Sequence, residues 1–178
     1  MASAKVPAMS AWIRLSDAEL SLCTTINGLC RIRGVGAFFA AVSRLGDGVF
    51  WYTCMALLPM LYGRHGVATS LRMLAVAAAG VTLYRIIKTC TARPRPCSAS
   101  DAISLGAAPL DRYSFPSGHT LHAVAFTMVA CSHHPLLLVV LAPFAVLVAM
   151  SRIILGLHYP TDVASGAVIG MLVALPAL

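Results

Sequence analysis

Charge is scarce in this sequence. Only 11% of the residues are Asp, Glu, Lys or Arg, and they are bunched, leaving long charge-free intervals. Set against 59% hydrophobic residues and a mean hydropathy of +0.84, that scarcity excludes an ordinary soluble fold and implies an integral membrane protein. Acidic residues are the rarest charges, six against 13 Lys and Arg, for a net charge of +7. No Lys/Arg run with interleaved aromatics exists, so nucleic acid is not an expected partner. Anionic lipid headgroups or an anionic substrate fit the charge better. The six cysteines show no CxxC or Cys/His metal spacing, so no metal is expected and the thiols read as small apolar packing residues. Cys90 and Cys97 flank a polar stretch and could pair in an oxidising compartment. The first 30 residues lack a continuous apolar core and contain Asp17 and Glu19, so no cleavable leader is expected. Internal repeats and low-complexity tracts are also missing.

What is present reads as an all-α polytopic bundle of about one domain. Residues 1–47 read as an N-terminal interfacial segment and 48–178 as the membrane-embedded core. Ser16 with Glu19 three residues on forms a capping-box pattern, followed by Leu20, Leu22, Cys23, Ile26, Leu29 and Cys30 at helical spacing. Such an amphipathic helix suits the membrane plane. "GVGAFFAAVSRLGDG" (34–48) is too short and Gly-bounded to span alone. Spans are expected near 48–63, 67–91, 118–133, 136–157 and 162–178, giving five, or six if 34–47 also crosses. "GRHG" (63–66) and "CSHHP" (131–135) read as tight turns, and 92–117 as the long connection. Alternation then brings Lys88, Arg95, Ser117, His119, Arg152, His158 and Asp162 to one membrane face.

Three segments on that face carry the chemistry: "KTCTARPRP" (88–96), "PSGH" (116–119) and "SRIILGLHYPTD" (151–162). They supply three cations, two histidines, a helix N-terminus and a carboxylate, an inventory suited to a phosphate ester. Arg95 and Arg152 offer forked donors to phosphoryl oxygens, and Lys88 adds a compact charge. Ser117 can cap the third span and offer its hydroxyl, while Gly118 admits close backbone approach at an anion-binding helix start. Of the two imidazoles, His158 is expected to attack phosphorus, with Asp162, four residues on, orienting it. His119 then protonates the leaving oxygen and later activates water. The fixed cations stabilise the transition state.

The pattern Lys-x6-Arg-Pro (Lys88, Arg95, Pro96), Pro-Ser-Gly-His (116–119) and Ser-Arg-x5-His-x3-Asp (Ser151, Arg152, His158, Asp162) resembles the signature of type 2 phosphatidic acid phosphatases. All eleven specified positions match, over about residues 80–170. The resemblance implies a helical core shared with vanadium haloperoxidases and metal-free, cofactor-free hydrolysis through a phosphohistidine. It implies a lipid phosphate substrate: a polyprenyl phosphate or pyrophosphate, phosphatidic acid, phosphatidylglycerophosphate or a lipid A phosphate. A compact bacterial enzyme with a polyprenyl substrate is the leading form. A lipid phosphotransferase and a non-catalytic lipid transporter or binding protein are the alternatives.

Other residues read more plainly. His122 is expected to pack or hydrogen-bond, and His65, His133 and His134 to be solvated in opposite-face turns. Arg93 is expected to touch substrate or headgroups, Tyr159 and Phe115 to sit at the interface. Asp101, Asp111 and Arg112 belong to a loop that could carry selectivity. With five spans Lys5, Arg14, Arg31, Arg33 and Arg44 share the site's face, which the positive-inside rule places in the cytoplasm. With a sixth span the site points outward. The resemblance favours the periplasmic or outer face of a bacterial inner membrane, and that is the expectation.

Overall fold

The computed structural model describes the backbone of residues 7–178 and the side chains from residue 17 onward. Lys5 and the side chains of Arg14 and Ser16 therefore lie outside the described residues. Seven α-helices occur among the described residues: α1 (Pro7–Asn27), α2 (Val35–Arg44), α3 (Phe50–Thr91), α4 (Pro96–Ala99), α5 (Gly118–His133), α6 (Leu138–Ile154) and α7 (Pro160–Ala174). Among these residues three stretches are long and apolar enough to cross a membrane, Val35–Ala99, Pro135–Ile154 and Pro160–Ala177. The fold is that of a membrane helical bundle.

The first stretch holds more than one crossing. At Gly63 the backbone adopts φ 56°, which a side chain disfavours, and α3 turns back on itself there. Ser70 donates to the Met55 carbonyl at 2.7 Å, a distance that fifteen residues of straight helix would forbid. The two arms, 50–62 and 64–91, are thus the antiparallel pair expected at 48–63 and 67–91. Further upstream, α2 runs antiparallel to α6: Phe39 packs on Ile154 and Leu155, and Gly46 faces Val148. The chain bends at Gly48 and continues into the first arm of α3, where Phe50 meets Phe144 with ring centroids 3.8 Å apart. Residues 35–62 therefore form one kinked crossing, the first of five among the described residues. A sixth span near 34–47 is not formed, because that segment is the upper half of the first.

Helix α5 is the central element. Leu121, Ala123, Ala125, Val129 and Ala130 are fully buried, against Trp51, Met73, Leu141 and Val148 of the helices around it. Burial on all sides explains why 16 residues with no polar face still form a stable helix here.

Helix α1 begins well before Ser16, so that residue lies inside the helix and does not cap it. The partner expected for Ser16 is used elsewhere: Glu19 accepts the Thr161 amide at 2.9 Å and so caps α7. Cys23 then approaches the His158 carbonyl, and Asn27 donates to the carbonyls of Ser104 and Ile154, both at 2.9 Å. These contacts follow the ends of α6 and α7 in turn, so α1 lies across the bundle's site face. Leu22 and Leu29, expected on its apolar face, are about half exposed and do not pack into the bundle. All six cysteines are free thiols, Cys90 and Cys97 included.

Candidate active site

The turn between α6 and α7 is built to present one imidazole. Arg152 Cα ends the regular part of α6, and its carbonyl accepts the amides of both Leu157 and His158 at 3.0 Å. Gly156, at φ 71°, allows that reversal, and a Cβ there would meet the Ile103 side chain at 2.6 Å. His158 is left 1% exposed, with its ring at the floor of the site. Arg95 Nη1 donates to its Nε2 at 3.2 Å, so the ring proton sits on Nδ1. That proton faces Asp162 Oδ2 at 3.6 Å. Burial first, then the Arg152, Arg95 and Lys88 charges and His119, hold His158 well below the ordinary histidine range. It is a neutral imidazole with its lone pair among cations.

Those cations come from three elements. Lys88 lies in the last turn of α3, Arg95 precedes α4, and Arg152 lies in the last turn of α6; all three are at most 5% exposed. Lys88 Nζ and Arg95 Nη2 both bond the Asp111 carboxylate, at 2.7 and 2.8 Å. Arg152 donates to Ser43 Oγ, and its Nε is a buried donor with no partner. An unpaired guanidinium nitrogen beside a neutral imidazole is suited to an incoming oxyanion.

The Pro-Ser-Gly-His turn closes the other wall. Ser117 caps α5, accepting from the Thr120 amide, and its own amide donates to the Asp162 carbonyl at 3.0 Å. That bond joins two of the motifs directly. Its hydroxyl, expected to face the phosphate, lies fully buried against Thr120 Oγ1 at 3.0 Å and does not line the cavity. Gly118 and His119 do line it. His119 Nε2 pairs with Asp47, a residue of the bend between α2 and α3.

A cavity of about 650 Å³ connects these groups, reached by Lys88, Arg95, His119, Arg152 and His158. It continues between the arms of α3 and the start of α5 along Trp51, Ala77, Val81, Tyr84, His122 and Phe126. His122 donates from Nδ1 to the Gly118 carbonyl at 2.8 Å, the hydrogen-bonding role expected of it. Arg85 also lines the cavity, exposed.

Several residues behave differently from their sequence reading. Arg93 does not line the cavity; it bonds Asp162 Oδ1 at 2.6 Å and Glu19 Oε2 at 2.8 Å. Tyr159 is 5% exposed, not interfacial, with the Arg93 guanidinium 3.9 Å over its ring. His134 is buried rather than solvated, bonded to Thr69 Oγ1 at 3.1 Å and stacked on Tyr62, while His133 accepts from Arg72 at 3.0 Å. Asp47 and Ser43 were missed because both precede the motifs and only the packing of α2 on α6 brings them in. A carboxylate in a Gly-x-Gly bend at a membrane helix kink was the one signal available for Asp47.

The model of the PAP2 superfamily matches residues 69–178. The chain belongs to that superfamily. It is 32% identical over 143 residues to the decaprenylphosphoryl-5-phosphoribose phosphatase of Mycobacterium tuberculosis, covering 77% of this chain and 75% of the relative. Its fold matches the transmembrane PAP2-type phosphatidylglycerolphosphate phosphatase of Bacillus subtilis, with a TM-score of 0.74, 25% identity, and 92% of this chain and 84% of that one covered. LpxE of Aquifex aeolicus matches with a TM-score of 0.71 and 27% identity, over 89% and 93% of the two chains. The PAP2 match takes in every motif position and leaves out α1, α2 and Asp47.

Proposed function

We propose that this PAP2 protein is a metal-independent lipid phosphatase that cleaves a phosphate monoester or pyrophosphate through a phosphohistidine on His158. The observation that carries the reading is the neutral His158 ring, its Nε2 lone pair beside Arg95 and its Nδ1 toward Asp162. In the first step Nε2 attacks phosphorus, the bond to the leaving oxygen breaks, and His119 gives that oxygen a proton. In the second, His119 takes a proton from water, the hydroxide oxygen bonds phosphorus, and the P–N bond breaks to release inorganic phosphate. Lys88, Arg95, Arg152 and the Gly118 backbone hold the phosphoryl oxygens throughout.

The membrane setting makes the substrate a lipid. Its phosphate meets the cations while the apolar part of the cavity, along Ala77, Val81 and Phe126, receives the adjoining chain. Similarity to a decaprenyl-linked phosphatase supports a polyprenyl substrate. Phosphate release measured in detergent with chelator present, across polyprenyl phosphates, phosphatidic acid, phosphatidylglycerophosphate and lipid A, tests both parts. Release from none of them, or a strict metal requirement, rejects the proposal.

The five crossings and the basic residues bear on sidedness. Arg31 and Arg33 lie beside α1 on the site face, and Arg64 and Arg72 beside the Gly63 turn opposite. This division favours a site on the cytoplasmic side of a bacterial inner membrane. The outward orientation expected from the resemblance is the competing reading, and cysteine labelling in the 97–115 loop of intact cells separates them.

A further inference from the structure

Glu19 lies outside the three motifs, Arg93 occupies an unspecified position within the first, and neither lines the cavity. They are nevertheless the groups that hold the carboxylate behind the nucleophile. Asp162 is fully buried; its Oδ2 accepts the Tyr159 amide at 2.9 Å, and its Oδ1 meets Arg93 Nη1 at 2.6 Å. Arg93 Nη1 also donates to Thr161 Oγ1 at 2.8 Å, and its Nη2 reaches Glu19 Oε2 at 2.8 Å. The second oxygen of Glu19 caps Thr161 at the start of α7. The Arg93 backbone is itself pinned, its carbonyl accepting the Ser114 amide at 2.9 Å.

We propose that Glu19 and Arg93 are positioning residues which lock Asp162, and through it the His158 ring, so that helix α1 is a working part of the active site. A buried carboxylate turned toward Nδ1 across 3.6 Å is useful only if it cannot rotate away. The Arg93 fork fixes one oxygen, and Glu19 holds the fork through a bidentate span from α1 to α7. The arrangement also sets charge. Asp162 favours the imidazolium of His158, Arg93 opposes Asp162, and Glu19 opposes Arg93. The other groups facing His158 are Lys88 of α3, Arg95 before α4, His119 of α5, Arg152 of α6 and the Cys23 thiol of α1. Burial first, then Glu19 and Asp162, push that thiol up to about 12, so Cys23 stays neutral. The inference rests on His158 being the nucleophile.

The test uses the purified full-length protein in detergent with farnesyl diphosphate and dioleoyl phosphatidic acid as probes. Wild type, Arg93→Gln, Arg93→Lys and Glu19→Gln are compared for kcat, KM and the acid limb of kcat/KM, with thermal unfolding recorded for each. Arg93→Gln should lower kcat about tenfold with KM within about twofold, because the cavity is untouched. It should move the acid limb up, since Asp162 then acts on His158 unopposed. Glu19→Gln should move the limb down by about 0.3 pH unit, because Arg93 then opposes Asp162 more strongly. Arg93→Lys should recover part of kcat. Opposite shifts are not expected of a merely structural pair. Folded variants with wild-type kcat and limb, shifts of the same sign, or a loss confined to KM would overturn the strap. If Arg93→Gln does not fold, the Glu19→Gln limb decides alone. A wild type inactive on both probes is assayed on phosphatidylglycerophosphate and lipid A, and inactivity on all four overturns the phosphatase reading and the strap together; a wild type active on any of them with unaffected variants overturns the strap only.

Discussion

Arg95 Nη1 and His158 Nε2 lie 3.2 Å apart, and this contact fixes which imidazole nitrogen carries the lone pair. A guanidinium can only donate, so Nε2 is an acceptor and keeps its lone pair on the side of the cations. A phosphoryl group entering the site offers Arg95 better acceptors than a neutral ring nitrogen. In the proposed mechanism the same residue holds the His158 ring in register and then passes to the substrate's oxygens.

Replacing His158 removes the attacking atom. His158→Ala should abolish turnover, and acid-quenched protein should retain no label from a phosphate-labelled substrate, where wild type does. Asp162→Asn keeps the shape but no longer favours the Nδ1–H tautomer, and kcat should fall by about 10²- to 10⁴-fold with KM little changed. Labelled phosphoprotein in His158→Ala would move the nucleophile elsewhere.

The burial and surrounding cations that depress His158 also set a pH dependence. In the folded state the ring stays neutral below the usual 6.5, whereas the unfolded chain takes up the proton. Stability from this group is thus fully present above about pH 6.5 and declines as pH falls, by up to ~1.4 kcal/mol per pH unit. Thermal unfolding between pH 7 and 5 should show a slope that His158→Gln reduces. The acid limb of kcat/KM should fall below the ordinary histidine range; a limb at 6.5 or above contradicts the depressed value.

The three motifs made the cations, the two histidines and Asp162 legible in the sequence, because each is named by spacing on a helix end. The Gly63 reversal was legible too, from a Gly-rich break between two apolar runs. Asp47, Arg93 and Glu19 were not, for a common reason. Each acts through a contact more than 65 residues distant in sequence, made where α1, the α2–α3 bend and the turn before α4 meet the ends of other helices. The 34–48 stretch looked too short to cross because its partner half begins after a kink at Gly48. Ser117 carries the signature of an anion ligand and the geometry of a cap, and only packing shows that Thr120 takes its hydroxyl.

Asp111 pairs with both Lys88 and Arg95, two of the cations proposed to hold the phosphate. Burial works against its charge, but Lys88 and Arg95 outweigh it and keep its carboxyl below the usual range. A phosphate must compete with that carboxylate for both cations. Asp111→Asn should therefore tighten inhibition by vanadate and inorganic phosphate by several-fold, at the scale of one exchanged ion pair in a half-buried site. Weaker inhibition in Asp111→Asn would instead make Asp111 an organiser of Lys88 and Arg95.

Asp47 pairs with the imidazole expected to handle the leaving oxygen. A carboxylate on that ring favours its protonated, acid-competent form. The loss in Asp47→Asn should then depend on how much help the leaving group needs. Alkyl phosphates such as phosphatidic acid should lose about 10²-fold, and p-nitrophenyl phosphate, with a good leaving group, far less. His119→Ala should show the same ordering more strongly. Equal losses on both substrates would remove Asp47 from acid catalysis.

Close contact between α5 and α7 sets the spacing of the two motif histidines. Gly166 lies under the Pro-Ser-Gly-His turn, and a Cβ added there would stand 2.5 Å from the Ser117 carbonyl oxygen. That oxygen is backbone and accepts the Leu121 amide at 3.0 Å, so it cannot move without shifting the first turn of α5. His119 is carried on that turn, while Asp162 is carried on α7 with Gly166. Gly166→Ala should therefore separate the acid from the nucleophile and cost about 1–3 kcal/mol of stability through overpacking. A lower melting temperature in detergent together with reduced kcat is the expected outcome. Gly28→Ala is the control, because a Cβ there meets nothing within 4 Å and should leave both unchanged. Wild-type kcat in a folded Gly166→Ala would show that the histidine spacing does not depend on this helix contact.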